Sequence, residues 1–432
     1  MFKRIFSSIP GLIVIASFAA AAMKVPAFAR GERLEISDAR HQEVFLKTTN
    51  LPPHERISAV GRSNRGSREE TLARGFSAKS GELLDVDLET GGEIDVTGWD
   101  KDSVHIVATL DASECSHTRV SFDETSDGLR VSSENTRSRS NRRNRNNSCD
   151  TDLVIQVPQK QQLRFRTMGG DIRVDNVEGD ISGKTMGGKL DLSNLKGNLS
   201  LTTMGGNITL VKSRVDGSVK TMGGKVLLED VTGSVKGHSM GGSVVYRRVT
   251  NKKGLSSGDE VRIKTMGGDI NVDEAPGGAD VHTMGGKIRI NSAAKFVKAL
   301  TMGGEIEIRE VDGSVNATTM GGDISVTMTG DPKKGDRAVS LRSYGGDITL
   351  VVPDGLSMDI DIELSYTRNH EDDYTITSDF PMAQRESREW IRGKGDPRKV
   401  IFGSGAVNGG QHKIRIETIN GNVYLKKSSK RG

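Results

Sequence analysis

Apolar and polar residues alternate along most of this chain in short runs cut off by glycine. Leu84-Asp85-Val86-Asp87-Leu88, Glu93-Ile94-Asp95-Val96 and Val104-His105-Ile106-Val107 have a period of two. That period turns one face of a strand inward and the other to water. Leu129-Arg130-Val131 and Leu153-Val154-Ile155-Gln156-Val157 continue it. From Gln161 to Pro353 the alternation becomes a repeat that reads Thr-Met-Gly-Gly-x-Ile-x-Val, a short link, then Gly-x-Val. Each unit predicts two short strands with glycine-containing turns between them. Nothing in this stretch has helical periodicity.

The repeat keeps an 18-residue clock. Thr-Met-Gly-Gly begins at Thr167, Thr185, Thr203, Thr221, Thr265, Thr283, Thr301 and Thr319. Ser239-Met240-Gly241-Gly242 and Ser343-Tyr344-Gly345-Gly346 are variants, and Thr418-Ile419-Asn420-Gly421 is a distant echo. A fixed period of this length predicts an all-β, parallel-stacked β-solenoid with 18-residue coils, capped by flanking β segments. Each coil then lies about 4.8 Å above the last. The glycines are expected to supply corner backbone angles that other residues avoid. In the columns after Gly-Gly, stacked charges mostly alternate in sign, as in Arg173 and Asp191 or Arg289 and Glu307; Glu305 beside Asp323 is an exception.

Nine methionines share one position of the repeat: Met168, Met186, Met204, Met222, Met240, Met266, Met284, Met302 and Met320, continued by Tyr344. Two readings compete. Buried methionine is the ordinary case, and flexible thioethers fill corners well, so a core ladder is favoured. The other is an exposed apolar stripe that binds a partner. Strand parity from Ile181 through Gly183 and Thr185 points Met186 outward, but a corner can reset parity. Two coils are longer, and they carry Lys252 and Lys253 in one and Lys333 and Lys334 in the other. Both insertions fall at the same corner, and insertions gathered on one side of a repeat protein mark a second candidate surface.

Composition adds context. Only 4% of the 432 residues are aromatic and 52 are glycine, which suits a stack of thin cores better than one thick core. Lys3 and Arg4, an apolar run from Ile9 to Ala22 and Ala27-Phe28-Ala29 have the form of a cleaved secretory signal. The expected location is therefore the periplasm or the cell surface. No other segment is apolar enough to cross a membrane. Loss of Lys3, Arg4 and Lys24 with the signal leaves 58 basic residues against 57 acidic ones, so charge gives no argument for nucleic acid. In an oxidising compartment Cys115 and Cys149 are expected to form a disulfide closing the loop of Arg137, Arg139, Arg142, Arg143 and Arg145. The expected organisation is a signal over 1–29, a loose polar linker over 30–75, and an N-terminal β segment over 76–160. Regular coils follow over 161–355 and a β cap over 356–432.

No catalytic motif accompanies the repeat. The eight histidines are scattered without metal-ligand spacing, and Gly403-Ser404-Gly405 lacks the setting of a nucleophile elbow. No cofactor or metal is expected. Ile94-Asp95-Val96-Thr97-Gly98-Trp99-Asp100-Lys101-Asp102-Ser103-Val104, followed by Thr-Met-Gly-Gly-Asp-Ile units, resembles a bacterial family of adhesin-like β-strand-repeat proteins of unknown function. Gly403-Ser404-Gly405 through Ile416 to Val423 is similar to that family's closing segment. The resemblance implies a β-solenoid and an envelope location, and it carries no catalytic residues. The expected function is non-catalytic binding or scaffolding of an envelope glycan or protein. The alternative is a polysaccharide lyase or hydrolase on a β-helix. A glycosidase needs two facing carboxylates, and sugar sites favour aromatic platforms. Between Gly169 and Pro353 the aromatics are only Tyr246, Phe296 and Tyr344.

Overall fold

A computed structural model describes residues 12–18, 42–48, 57–62, 68–111, 118–135, 150–250, 260–370, 374–391 and 396–428. The protein is all-β, apart from one short 3-10 turn among the described residues. It folds as two compact units, Met1–Asn198 and Leu199–Gly432.

In the first unit, Ile172–Asp175 lies between Ile94–Trp99 and Leu190–Ser193, parallel to both. Gln162–Thr167 lies likewise between Leu83–Leu88 and Glu178–Thr185. Glu89-Thr90-Gly91-Gly92 therefore occupies the corner of the coil preceding Met168. The span 30–75, expected as loose linker, contains strands Gln42–Thr48 and Ile57–Arg62 and most of Arg68–Ser77. Arg68–Ser77 pairs antiparallel with Ser103–Asp111. It also pairs antiparallel with Ile57–Arg62 on its other side, and backbone pairing of this kind needs no lasting apolar period, which is why the pattern did not show it. Cys115, Cys149 and the Arg-rich loop between them lie outside the described residues, as do Lys252 and Lys253.

In the second unit each coil contributes two strands, each paired in parallel with its equivalent in the next coil, 18 residues on except across the two longer coils. Ile208 stands beside Val226, and Val226 beside Val244. Ile270, Ile288, Ile306, Ile324 and Ile348 continue the same column. All are essentially inaccessible, and burying each contributes about 1.5–3 kcal/mol. The coil stacked on Val339–Val352 comes from distant sequence. His412–Ile419 pairs with Val339–Ser343, and Val423–Lys427 with Ile348–Val352. The chain between them adds a further layer: Met358–Thr367 runs parallel to His412–Ile419 on its far side and pairs antiparallel with Arg398–Val407. The faint echo at Thr418–Gly421 is thus a genuine coil corner.

The second corner of the coil carries non-glycine residues with left-handed φ, at Asn176 and Asn194 and, in the second unit, at Lys212, Asp230 and Arg248. Asn and Asp tolerate that region, whereas Lys and Arg are strained there.

Candidate functional site

The Thr-Met-Gly-Gly corner is fixed by the threonine hydroxyl. Thr283 Oγ1 donates to the Gly268 carbonyl of the previous coil at 2.9 Å and accepts the Gly286 N–H of its own turn at 3.2 Å. Thr221, Thr301 and Thr319 repeat both bonds. Ser239 does so with its shorter side chain, and Thr418 donates to Gly346. One hydroxyl therefore closes a turn and sets the register between coils, and every one of these residues is buried.

The second glycine has a different reason from the one expected. From Gly188 onward it does not adopt left-handed φ; the backbones of successive coils simply pass too close for a side chain. A Cβ on Gly224 would lie 2.0 Å from the Gly206 oxygen, and one on Gly286 2.1 Å from the Gly268 oxygen. At the first glycine there is room: a Cβ on Gly223 would find nothing nearer than 3.7 Å.

Because Thr is buried, Met is not. Parity holds through the corner: Val219 and Thr221 point inward and Met222 outward. The core-ladder expectation is corrected on this point. The hydroxyl bonds keep the strand extended to its end, so the corner does not reset the alternation. In the second unit Met204 through Met320 are 42–52% exposed and Tyr344 is 45% exposed. The Met266 N–H donates to the Met240 carbonyl, Met284 to Met266 and Met302 to Met284, at 2.9–3.1 Å. The column is therefore a row of side chains on directly bonded backbones. Met168 and Met186 are exposed in the first unit. By contrast, Met328 and Met358 are buried.

After the corner, the charge columns neutralise themselves. Lys287 meets Glu305 at 3.0 Å, Arg289 meets Glu307 at 2.6 Å, and Arg248 reaches both Asp230 and Glu229. Hydrogen bonds from Arg289 and Arg309 hold the Glu307 carboxyl below the usual range. Arg173 chooses Asp95, in the coil before it, at 2.9 Å. Asp and Asn in the first position after Gly-Gly have a further role that the charge pattern did not reveal. Asn207, Asp269 and Asp323 accept the backbone N–H of Lys225, Lys287 and Asp347 in the next coil at 2.8 Å.

The loop of Lys333 and Lys334 is a built structure. It wraps the buried Arg337, whose guanidinium donates to the carbonyls of Thr329, Asp331 and Lys334 and to the Asp312 carboxylate. Lys333 is exposed, and Lys334 pairs with Asp331 at 3.3 Å. The structure also gathers two groups that sequence reading missed. One is a set of lysines on the face leading into the methionine column. The other is an aromatic–cation cluster in the C-terminal insertion, where Trp390 meets Tyr366 edge-on at 5.8 Å with Arg368 and Lys399 over its ring. Reading the repeat column by column exposes the first. The second has no periodic signal.

A cleft of about 490 Å³ opens among Val235, Tyr246, Val249, Val261 and Phe296, and Glu260 is its one carboxylate among the described residues. Also among the described residues, no group of three or more His, Cys, Asp or Glu side chains could hold a metal ion. Among the described residues no helix is long and apolar enough to cross a membrane.

An all-β stack of Gly-cornered coils defines a β-solenoid. The chain belongs to the Toastrack DUF4097 family, whose profile matches residues 82–401. No curated protein matches its sequence. Among solved structures it is similar to a candidate cell adhesion protein of Clostridium sporogenes, with 9% identity over 83% of this chain and 100% of that one and a TM-score of 0.19. A candidate adhesin of Parabacteroides distasonis shows 14% identity over 65% and 96%, with a TM-score of 0.24. A candidate adhesin of Bacteroides fragilis shows 11% identity over 83% and 97%, with a TM-score of 0.18. These superpositions are distant, and family membership rests on the match over 82–401.

Proposed function

We propose that this protein is a non-catalytic binding scaffold of the cell envelope, exported by its N-terminal signal, that docks a glycan or protein along the methionine column. The observation that carries this reading is the exposure of Met204 to Met320 and Tyr344 in one row on a scaffold that does not need them for its core. A row of half-exposed thioethers makes a continuous apolar strip, and exposed apolar strips mark interaction surfaces. Residue identity adds support. The core column drifts among Ile, Val and Leu from coil to coil, while the exposed column stays Met in nine successive coils. A flexible, polarizable side chain suits an adaptable contact surface. The loop of Lys333 and Lys334, held by Arg337, is a second candidate edge.

The test is the quadruple variant Met222→Ser, Met240→Ser, Met266→Ser and Met284→Ser, purified beside the wild type. Thermal unfolding is expected to stay within a few degrees, because no buried contact is lost, while retention of envelope glycans and proteins from a membrane-and-wall fraction falls sharply. Unchanged retention would sink the stripe. Release of shortened glycans by the wild-type protein would replace the scaffold with an enzyme.

A further inference from the structure

The two sides of the methionine column differ in charge. Beyond Gly-Gly, Lys287 pairs with Glu305 and Arg289 with Glu307. On the strand face before the corner Arg342 pairs with Glu417 at 2.6 Å and Arg262 with Glu260, but four lysines have no such partner among the described residues. Lys220, Lys236, Lys264 and Lys298 stand two or four residues ahead of Met222, Met240, Met266 and Met302, and all four are exposed. None makes an ion pair among the described residues. The acids nearby are engaged: Glu260 with Arg262 and Asp280 with His282. The pairings place these positions side by side. Lys220 is level with His238 and Ser218 with Lys236, while Lys264 is level with His282 and Asp280 with Lys298. Their closeness shows at His238, whose imidazole is held below its usual range first by burial and then by Lys220, Lys236 and Lys264.

Like charges on neighbouring strand positions repel and destabilise a sheet. Four exposed lysines without an ion pair on one face make that face complementary to an anion from outside. We infer that this face binds a linear acidic glycan lying along the stack, its carboxylate or sulfate groups on Lys220, Lys236, Lys264 and Lys298 and the CH faces of its sugar rings on the neighbouring methionines. Cations in three successive coils and again two coils on, with a coil rise of about 4.8 Å, suit a chain molecule with its charges in line. Solenoids offer extended surfaces for such ligands. The same positive field disfavours a soft metal cation on the thioethers. This inference rests on the binding role proposed above and names the ligand class.

The experiment uses the full chain and fluorescent probes: polygalacturonate, dextran sulfate, neutral dextran, and phosphatidylglycerol vesicles. Polygalacturonate and dextran sulfate are expected to bind, with affinity falling as salt rises, and neutral dextran is not. The variant Lys220→Gln, Lys236→Gln, Lys264→Gln is expected to lose about tenfold or more in affinity and most of the salt dependence. Lys225→Gln, Lys287→Gln, on the other side of the column, is the control and should bind like wild type. Circular dichroism confirms that both fold. No polyanion binding, equal loss in the control, or binding of vesicles but of neither acidic glycan overturns the inference. If the acidic glycans fail but the methionine-to-serine variant still loses its envelope ligands, only the anionic assignment falls. If that variant loses nothing, the docking stripe falls first.

Discussion

At the scale of single residues, two glycines side by side in sequence have unequal jobs. Gly224→Ala puts a methyl group 2.0 Å from a backbone oxygen of the previous coil, and backbone cannot step aside. It should cost about 3 kcal/mol in urea denaturation. Gly223→Ala meets only ordinary contacts and should stay within about 1 kcal/mol of wild type. Equal effects would show that the glycines serve flexibility rather than close approach. A second residue sets a pH response. His105 is buried against Trp99, and neither of its ring nitrogens has a hydrogen-bond partner. Burial, and then the charge of Lys101, lower its pKa from 6.5 to about 4. Between those values the unfolded chain takes up a proton that the folded one refuses. This contribution to stability is therefore complete above pH 6.5 and is lost as pH falls toward about 4. His105→Leu should flatten the drop in Tm between pH 7 and pH 5 relative to wild type. An identical drop in both would assign the acid sensitivity to other groups.

At the scale of elements, the insertion after Met328 shows how an irregular loop is held on a regular stack. Arg337 is 1% exposed and fastens three loop carbonyls and the Asp312 carboxylate. Arg337→Met removes these bonds and leaves the loop carbonyls unmatched, a change worth about 1–3 kcal/mol. Limited trypsin digestion should then cut at Lys333 and Lys334 much faster than in wild type, while the coils stay protected. Unchanged cleavage would mean that the loop is held by its own turn. The C-terminal insertion has another logic: its antiparallel pair separates the Ser343–Gly346 corner from the Thr418–Gly421 corner in sequence. The hydroxyl bond from Thr418 to Gly346 at 2.7 Å joins them again.

At the scale of the whole molecule, a stack whose coils touch only their neighbours should accept or refuse deletions by whole coils. Removing residues 286–303 joins Gly285 to Gly304 and restores the motif. That variant is expected to remain soluble, with a β-type circular-dichroism spectrum and a modestly lower Tm. Removing only 286–294 joins one side of a coil to the wrong corner and should give insoluble chain. Equal behaviour of the two would speak against coil-by-coil stacking. The architecture was legible because it is periodic. Alternation gives the strands and the 18-residue clock gives the coil. Identical coils can bury their apolar rows only by stacking, so local pattern and global fold coincide. The inward direction of Thr221 and the outward direction of Met222 were open, because they depend on whether the chain stays extended to the corner. Only the hydroxyl bonds to the coil below decide that. The lysine face was invisible for a related reason. Lys220 and Lys236 are 16 residues apart in sequence, and only stacking makes them neighbours, with no ion pair to either among the described residues.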